Sequence, residues 1–400
     1  MKENYNRTLY ACFVGYVVQA IVNNFIPLLF LTFQGTYGIP LTKITMLVTF
    51  NFGLQLTVDM ISPKFIDKIG YKASMILAHI FAAVGLASLT ILPECFADPF
   101  HGILLAVMLY AVGGGLLEVL VSPIVEACPT DNKEKAMSLL HSFYCWGHVG
   151  VVLLSTLFFR LAGIENWKMM AVIWSLVPAL NILLLSKAPI THILEEGEEG
   201  LTLKELCSMK IFWVLMLLML CAGSCEQAVS QWASTLAEKG LGVSKTVGDL
   251  AGPMLFAILM GLSRLFYGKY GDKIDLEKFM IFSGILCAIS YLLIGLVPVP
   301  MVGFLGCGLC GVSVGILWPG TFSMGAASIK SGGTLMFALF ALAGDLGCGG
   351  GPTLVGLVSG MMNDNLKAGI LAALVCPTFL LIGIFLRRHV QKTADTIRLE

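Results

Sequence analysis

Twelve stretches of this chain are each long and apolar enough to cross a lipid bilayer. They run roughly 8–33, 42–62, 73–93, 100–128, 136–162, 167–187, 210–237, 246–268, 278–297, 300–325, 333–360 and 367–387. A helix needs about 20 apolar residues to span the hydrocarbon core. Lipid offers a bare backbone N–H or C=O no partner, so each span must be helical or part of a closed barrel. The runs are longer than barrel strands and lack strict alternation, so helices are expected.

Composition closes off other classes. Hydrophobic residues make up 57% and charged residues 12%, against about a quarter charged in soluble domains. That is too little charge to cover a water-facing surface. A large soluble enzyme and a disordered chain are excluded. The 25 Lys and Arg balance the 25 Asp and Glu, so no basic excess awaits nucleic acid. Most of the 12 Cys lie inside apolar runs and read as reduced packing residues rather than a disulfide framework. No Walker loop, HExxH or nucleophile elbow is present. The chain is therefore expected not to be an enzyme, and to have no catalytic residue, cofactor or metal. Its energy would come from a gradient or from the solute itself.

Orientation follows from loop Lys and Arg. With a cytoplasmic N-terminus, 19 of these residues fall inside and 6 outside. The expectation is an integral protein of a bacterial inner (plasma) membrane, with both termini cytoplasmic. The first span is too long and polar-studded for a cleaved signal peptide and is expected to be retained. The longest polar stretch carries Glu195, Glu196, Glu198 and Glu199 and reads as a solvated linker. The expected organisation is an N-terminal six-helix half (1–188), a cytoplasmic linker (189–209) and a C-terminal six-helix half (210–400). A short interfacial helix is expected at 201–206.

The halves echo each other. "PKFIDKIGYK" (63–72) follows the second span and "GKYGDKIDLEK" (268–278) follows the eighth. Asp67 and Asp272 are 205 residues apart, each followed by Lys, at 68 and 273. Two parallel halves related by an axis along the membrane normal are the natural reading. The expected fold class is an all-α membrane protein of twelve transmembrane helices in two pseudo-symmetric six-helix halves. The Asp-Lys loops, the twelve spans and the central linker resemble the major facilitator superfamily over essentially the whole chain. Its loop motif, Gly-x-x-x-Asp-Arg-x-Gly-Arg-Arg, matches partly. The first copy keeps Asp67 and Gly70 but has Pro63 and Lys68; the second keeps Gly268 and Asp272, with Lys273. The resemblance implies a cytoplasmic gate at Asp67, Lys68, Asp272 and Lys273. Asp59 and Arg264, near the cytoplasmic ends of their spans, are expected to join it. The plainer alternative is a topology signal alone.

Polar side chains at membrane depth are costly and are functional candidates by default. In the fifth span His141, Tyr144, Cys145 and His148 share a helix face. That face is expected to line a cavity, the alternative being two His bonded in helix packing. In the fourth span Glu118 follows Gly113-Gly114-Gly115, glycines that allow close helix approach. The first span carries Tyr16, Gln19 and Asn23, plus Asn24, before Pro27 frees a carbonyl. The seventh carries Glu226, Gln227, Ser230, Gln231, Trp232 and Ser234. At an offset of 202, Asn24 aligns with Glu226. Trp318 and Asp345 stand in the tenth and eleventh spans, and Asp345 reads as a base partner or a member of an ion path. A solute with several hydroxyls would supply partners for the amides. Amide faces can also join helices to one another.

Local strings resemble the fucose–proton symporter family: "VNNFIPLLF", "GGGLLEVLVSP", "LLHSFYCWG", "WPGTFSMG" and "GGGPTLVGLVSG". In that family an acid in helix four couples protons and contacts sugar, and Glu118 falls on that position. Where its helix five carries amides, this chain has His141 and Tyr144. Its helix-one acid has no counterpart, the aligned place being about Pro27. The resemblance implies a secondary transporter of a small polar solute, a sugar, with protons as coupling ion; sodium would suit the same oxygens. The expected binding residues are Gln19, Asn23, Asn24, Glu118, His141, Tyr144, His148, Gln227, Gln231, Trp232 and Trp318. Coupling is expected at Glu118, Glu226 and Asp345. The partners are the solute, the ion and the lipid bilayer, and the chain is expected to be a monomer. An exporter of drug-like or amphipathic compounds and a non-transporting membrane receptor are the rival readings.

Overall fold

The computed structural model describes residues 5–129, 133–190, 201–329 and 332–399, with the side chains of 62–64, 67, 123, 126–127, 133–139, 268, 272, 333–334, 337 and 391–399 outside that description. Among the described residues, twelve helical spans are long and apolar enough to cross a membrane. They are α1 (Tyr5–Tyr37), α2 (Leu41–Ile61), α3 (Tyr71–Ser88), α4 (Pro99–Ser122), α5 (Leu140–Ala162), α6 (Ile164–Ser186), α7 (Lys210–Gly240), α8 (Lys245–Tyr267), α9 (Leu276–Leu296), α10 (Pro300–Ser328), α11 (Ala338–Met361) and α12 (Leu366–Val390). The helix of α2 runs on to Ile69 and that of α4 to Ala127.

Local chemistry sets several of the boundaries. Pro27 breaks α1 into a 3-10 turn at Ile26–Leu29, because proline has no N–H to continue the ladder. Asp98 caps α4, its carboxylate accepting from the Phe100 N–H at 3.0 Å, with Pro99 in the first turn. Asp275 caps α9 in the same way through the Lys278 N–H. A capping box between Thr202 and Glu205 starts a short helix at Leu203–Ser208. The Glu195, Glu196, Glu198 and Glu199 run lies outside the described residues.

The chain forms two compact units. The first comprises Met1–Leu194 with Ser244–Ala257, and the second Glu195–Val243 with Ile258–Glu400. In the first, α1 packs on α4, α5 and α6, and α3 packs on α4 and α6. In the second, α7 packs on α10, α11 and α12, and α9 packs on α10 and α12. Each of these five pairings in the first unit has its counterpart six helices later in the second. That is the pseudo-symmetry expected from the repeated loops.

Small residues permit these pairings. A Cβ on Gly113 would lie 2.5 Å from the Ala78 carbonyl and 2.7 Å from the Ala82 nitrogen, on α3. One on Gly115 would lie 2.9 Å from the Gln55 carbonyl on α2. Backbone atoms cannot step aside, so α4 sits between α2 and α3 only because it is glycine there. In the second unit, a Cβ on Gly347 of α11 would overlap the Leu220 carbonyl of α7. The opposite faces are greasy and open. On α6, Met169, Val172, Ile173, Leu176, Leu180 and Leu183 are exposed at helical spacing, a lipid-facing stripe.

One buried polar node lies at the back of the first unit. The ring of His79 (α3) sits 2.7 Å from the Met75 carbonyl through Nδ1 and 2.8 Å from the Asn181 amide nitrogen (α6) through Nε2. Asn181 also donates to the Ala11 carbonyl (α1) at 3.0 Å. A ring that donates at Nδ1 and accepts at Nε2 is neutral. At one end of this unit, two acids fasten the loop between α3 and α4. Glu94 accepts from Lys168 at 2.6 Å and from Tyr37 at 3.0 Å. Asp98 pairs with Lys43 at 2.6 Å. The Lys168 hydrogen bond first, then that of Tyr37, holds the Glu94 carboxyl below the usual range. The Lys43 hydrogen bond and the Phe100 N–H do the same for Asp98.

Two outcomes follow. Gly113→Val is expected to destabilise the detergent-solubilised protein by ~1–3 kcal/mol or more through overpacking. Gly150→Ala, whose Cβ would meet nothing within 4 Å, is expected to be neutral or stabilising. Thermal unfolding monitored by size-exclusion fluorescence separates the two, and equal behaviour would contradict the packing argument. For the loop, both folded carboxyls titrate below their unfolded counterparts. Their contribution is complete above the unfolded values, about 4, and is lost as pH falls through the folded ones. Amide exchange in 92–98, corrected for its intrinsic pH dependence, should rise on acidification below pH 4. Glu94→Gln should show part of that rise already at neutral pH.

Candidate functional site

The first unit carries a continuous network of buried amides ending in an acid. Gln19 of α1 donates through Nε2 to Glu118 Oε2 (α4) at 3.0 Å and to Gln55 Oε1 (α2) at 3.1 Å. Gln55 donates to Asn23 Oδ1 at 2.8 Å and to Asn51 Oδ1 at 3.1 Å. Asn51 donates to Asn23 Oδ1 at 3.2 Å. Three helices meet there, and the glycines of α4 set the spacing. A Cβ on Gly114 would lie 3.1 Å from the Gln55 side chain. Gln19, Asn23, Asn51 and Gln55 are all buried, whereas Glu118 is half-buried. Among the described residues, Gln19 Oε1 is a buried acceptor without a hydrogen bond.

Helix α5 closes on α1 beside this network. A Cβ on Gly147 would lie 2.9 Å from the Ala20 Cβ. Asn24 donates to the Ala20 carbonyl at 3.0 Å and reaches the Tyr144 hydroxyl at 3.4 Å. His141 is exposed, and its ring lies 5.3 Å from that of Tyr16. Tyr16 shares a hydrogen bond with Ser122 at 2.9 Å. His148 is 2% exposed, and among the described residues no hydrogen bond joins it to the amides. The expected stripe on α5 thus divides into an accessible end at His141 and Tyr144 and a buried end at His148.

The second unit has its own polar chain. Gln231 donates to Gln227 Oε1 at 3.0 Å, and Gln227 donates to Glu226 Oε1 at 3.3 Å. Arg264 of α8 donates to Glu226 Oε2 at 3.2 Å. The pair joins a residue expected at the cytoplasmic gate to one expected in coupling. The physical reason is that a carboxylate buried on α7 requires a countercharge, and the long Arg side chain reaches it. Trp232 is fully buried, its indole N–H donating to the Pro352 carbonyl at 2.9 Å. Trp318 is half-buried, its ring filling the space a Cβ on Gly344 would need. Asp345 is half-buried on α11.

Of the other expected gate residues, Asp59 is half-buried on α2, while Lys68 and Lys273 are exposed. The side chains of Asp67 and Asp272 lie outside the described residues. Two members of the amide network, Asn51 and Gln55, were not among the expected site residues. The signal was present in "NFGLQ" (51–55), two amides at i and i+4 inside an apolar run. Among the described residues, no group of three or more His, Cys, Asp and Glu could hold a metal ion.

A twelve-span helical membrane protein in two matching units, with polar side chains meeting at membrane depth, has the architecture of a secondary transporter. The chain belongs to the Major Facilitator Superfamily, whose family model matches residues 11–352. It is a transporter of that superfamily. Its fold is similar to that of the D-xylose-proton symporter, at 13% identity and TM-score 0.77, over 96% of this chain and 97% of that one. It is likewise similar to the E. coli fucose:proton symporter FucP, at 17% identity and TM-score 0.66, over 96% and 99%. A bacterial homologue of the human lysosomal transporter Spinster superposes at 14% identity and TM-score 0.71, over 98% of each chain. None of the curated proteins compared with the chain matches it.

Gln55→Leu removes two donors and one acceptor from the network while leaving neighbouring groups buried. It is expected to destabilise the protein by about 1–3 kcal/mol, visible as a lowered thermal midpoint. Leu54→Ala, one position away on the half-buried neighbouring face, is expected to cost less.

Proposed function

We propose that this protein moves a small polar solute, a sugar, across the membrane together with protons by alternating access. The observation that carries the reading is the Gln19–Glu118–Gln55–Asn23–Asn51 network with its unsatisfied Gln19 carbonyl oxygen. Buried acceptors are normally satisfied. A sugar hydroxyl donates and accepts at once, so it can fill the Gln19 oxygen and exchange partners with the amides around it. Two structural neighbours, at low identity, are a fucose:proton and a D-xylose-proton symporter, which favours the same class of solute.

In this reading Gln19, Asn23, Asn24, Glu118, His141 and Tyr144 of the first unit contact solute. Gln227, Gln231, Trp232 and Trp318 shape the second unit's contribution, and His148 backs α5. Glu118 is the coupling acid: it gains or loses a proton as its Gln19 bond is exchanged for solute. Glu226 and Asp345 are secondary coupling sites. Asp59, Asp67, Lys68, Arg264, Asp272 and Lys273 serve the cytoplasmic gate, in a bacterial inner membrane with both termini cytoplasmic. The transport halves are 1–188 and 210–400, joined by 189–209, and the working form is a monomer.

The test is uptake of labelled pentoses, hexoses and deoxyhexoses into proteoliposomes, with and without an inward proton gradient. The parent is expected to accumulate at least one sugar on the gradient. Glu118→Gln is expected to lose accumulation by tenfold or more while still exchanging sugar across the membrane. Accumulation by the variant equal to the parent would remove Glu118 from coupling. A folded parent that carries no sugar would sink the sugar assignment.

A further inference from the structure

Two adjoining cavities flank the start of α3, both within the first unit. One, of about 380 Å³, is lined by Ile69, Gly70, Lys72, Ile76 and Ile190 among others. The other, of about 210 Å³, lies between α2, α3 and α4, with Val58, Phe65, Leu77, Phe81 and Leu116 among its walls. Ile69 lines both.

The first cavity is basic. The Lys72 ammonium donates to the Ser186 carbonyl at 2.9 Å and to the Ala188 carbonyl at 3.1 Å, where α6 ends. These bonds use two of its three N–H groups. They orient the charge without cancelling it, and among the described residues no acid pairs with Lys72. The sequences 63–72 and 186–190 hold Lys64, Lys68, Lys72 and Lys187 against the single acid Asp67. Lys68 and Lys187 are exposed. Helix α3 begins beside Lys72 with no side-chain cap, so its positive end adds to the same field. A Cβ on Gly70 would meet nothing within 4 Å, so the approach over this turn is open.

The second cavity is apolar. The one hydroxyl on its wall, that of Ser74, is turned back to the Gly70 carbonyl at 2.9 Å. Water there would find no partners, and the space is several times the ~30 Å³ share of one water molecule. Hydrocarbon suits it better. The slot opens toward lipid: Ile61, Phe65, Ile69 and Leu77 on its walls are exposed, and Leu77 continues into an exposed stripe with Ile80 and Val84.

An uncancelled cation at one end and an apolar slot at the other fit a molecule built the same way. Free phosphate would use only the first cavity, and a neutral lipid only the second. We propose that the start of α3 is a binding site for an anionic phospholipid, its phosphodiester set against Lys72 and one acyl chain lying in the slot between α2, α3 and α4. Bound there, the lipid fastens the ends of α2, α3 and α6 to one another at the membrane surface. The site is separate from the amide network and stands whatever solute is carried.

The test titrates delipidated full-length protein in detergent with dioleoyl phosphatidylglycerol. Native mass spectrometry reads occupancy, and a photoactivatable acyl chain reads location. Label is expected in 58–81 and 112–116. Lys72→Met is expected to weaken the tightest binding about tenfold, the weight of one hydrogen bond to a charged group. Leu77→Trp, which fills the slot and leaves the lysine in place, is expected to weaken it about tenfold as well, since excluding two methylenes suffices. Lys72→Arg, and Leu180→Trp on the exposed stripe of α6, are expected to keep parental binding. Dioleoyl phosphatidylcholine has the same chains and phosphate but no net charge, and is expected to bind about tenfold more weakly. Equal binding of the two lipids, or displacement of phosphatidylglycerol by inorganic phosphate, would overturn the assignment. Label spread evenly over the stripe of α6 would reveal annular lipid only and overturn the site. If Lys72→Met fails to fold, the Leu77→Trp and Leu180→Trp pair and the label map decide it.

Discussion

A polar side chain placed among apolar helices in a bilayer must find its partners inside the protein. Most of what distinguishes this structure follows from that requirement. Gln19 cannot be exchanged for a leucine-like neighbour without leaving Gln55 and Glu118 short of a donor. Gln55 in turn holds Asn23 and Asn51. The amides therefore fix the register of α1, α2 and α4 against one another more narrowly than apolar packing would. Hydrophobic side chains of similar size tolerate repacking; a chain of directional bonds does not.

That register is reachable only because the backbones come close. The glycines of α4 admit the carbonyls of Ala78 on one side and Gln55 on another. Glycine is a poor helix former in water, yet here its lack of a side chain is the condition for contact. The same solution recurs in the second unit, where Gly347 meets the Leu220 carbonyl and Gly351 meets Ser224. Close approach and polar bonding are thus one device: glycine sets the distance and the amide uses it.

The twelve spans were legible because hydrocarbon thickness imposes a length that any apolar run reports directly. The pseudo-symmetry was legible because Asp67-Lys68 and Asp272-Lys273 repeat at short loops. Partnerships were not, because helical spacing says which residues share a face but not which helix that face meets. Asn51 and Gln55 have the spacing of one helix face, but nothing in that spacing points to Asn23 and Gln19 as their partners. The distance of Arg264 from a span end gives no hint that its long side chain reaches Glu226. Asp249 stands four residues after Lys245 in "SKTVGD", a spacing that allows a pair but says nothing of burial. Only the fold reveals that no water reaches it.

The two units share a scaffold but have diverged in charge at matching places. The offset of 202 that relates Asn24 to Glu226, and of 205 that relates Asp59 to Arg264, pairs an amide and an acid in one unit with an acid and a base in the other. In the second unit those two positions bond directly across α7 and α8. In the first unit Asn24 turns instead toward Tyr144 on α5, and the acid that meets the amides is Glu118 on α4. The Glu226–Arg264 pair ties α7 to α8 through one charge-assisted bond. The Glu118 bond to Gln19 instead joins an acid to a neutral amide, and that amide also serves Gln55, so it ties α4 to α1 and α2 together. One scaffold thus carries two polar solutions: an acid matched to a base on the neighbouring helix in the second unit, and an acid matched to an amide in the first.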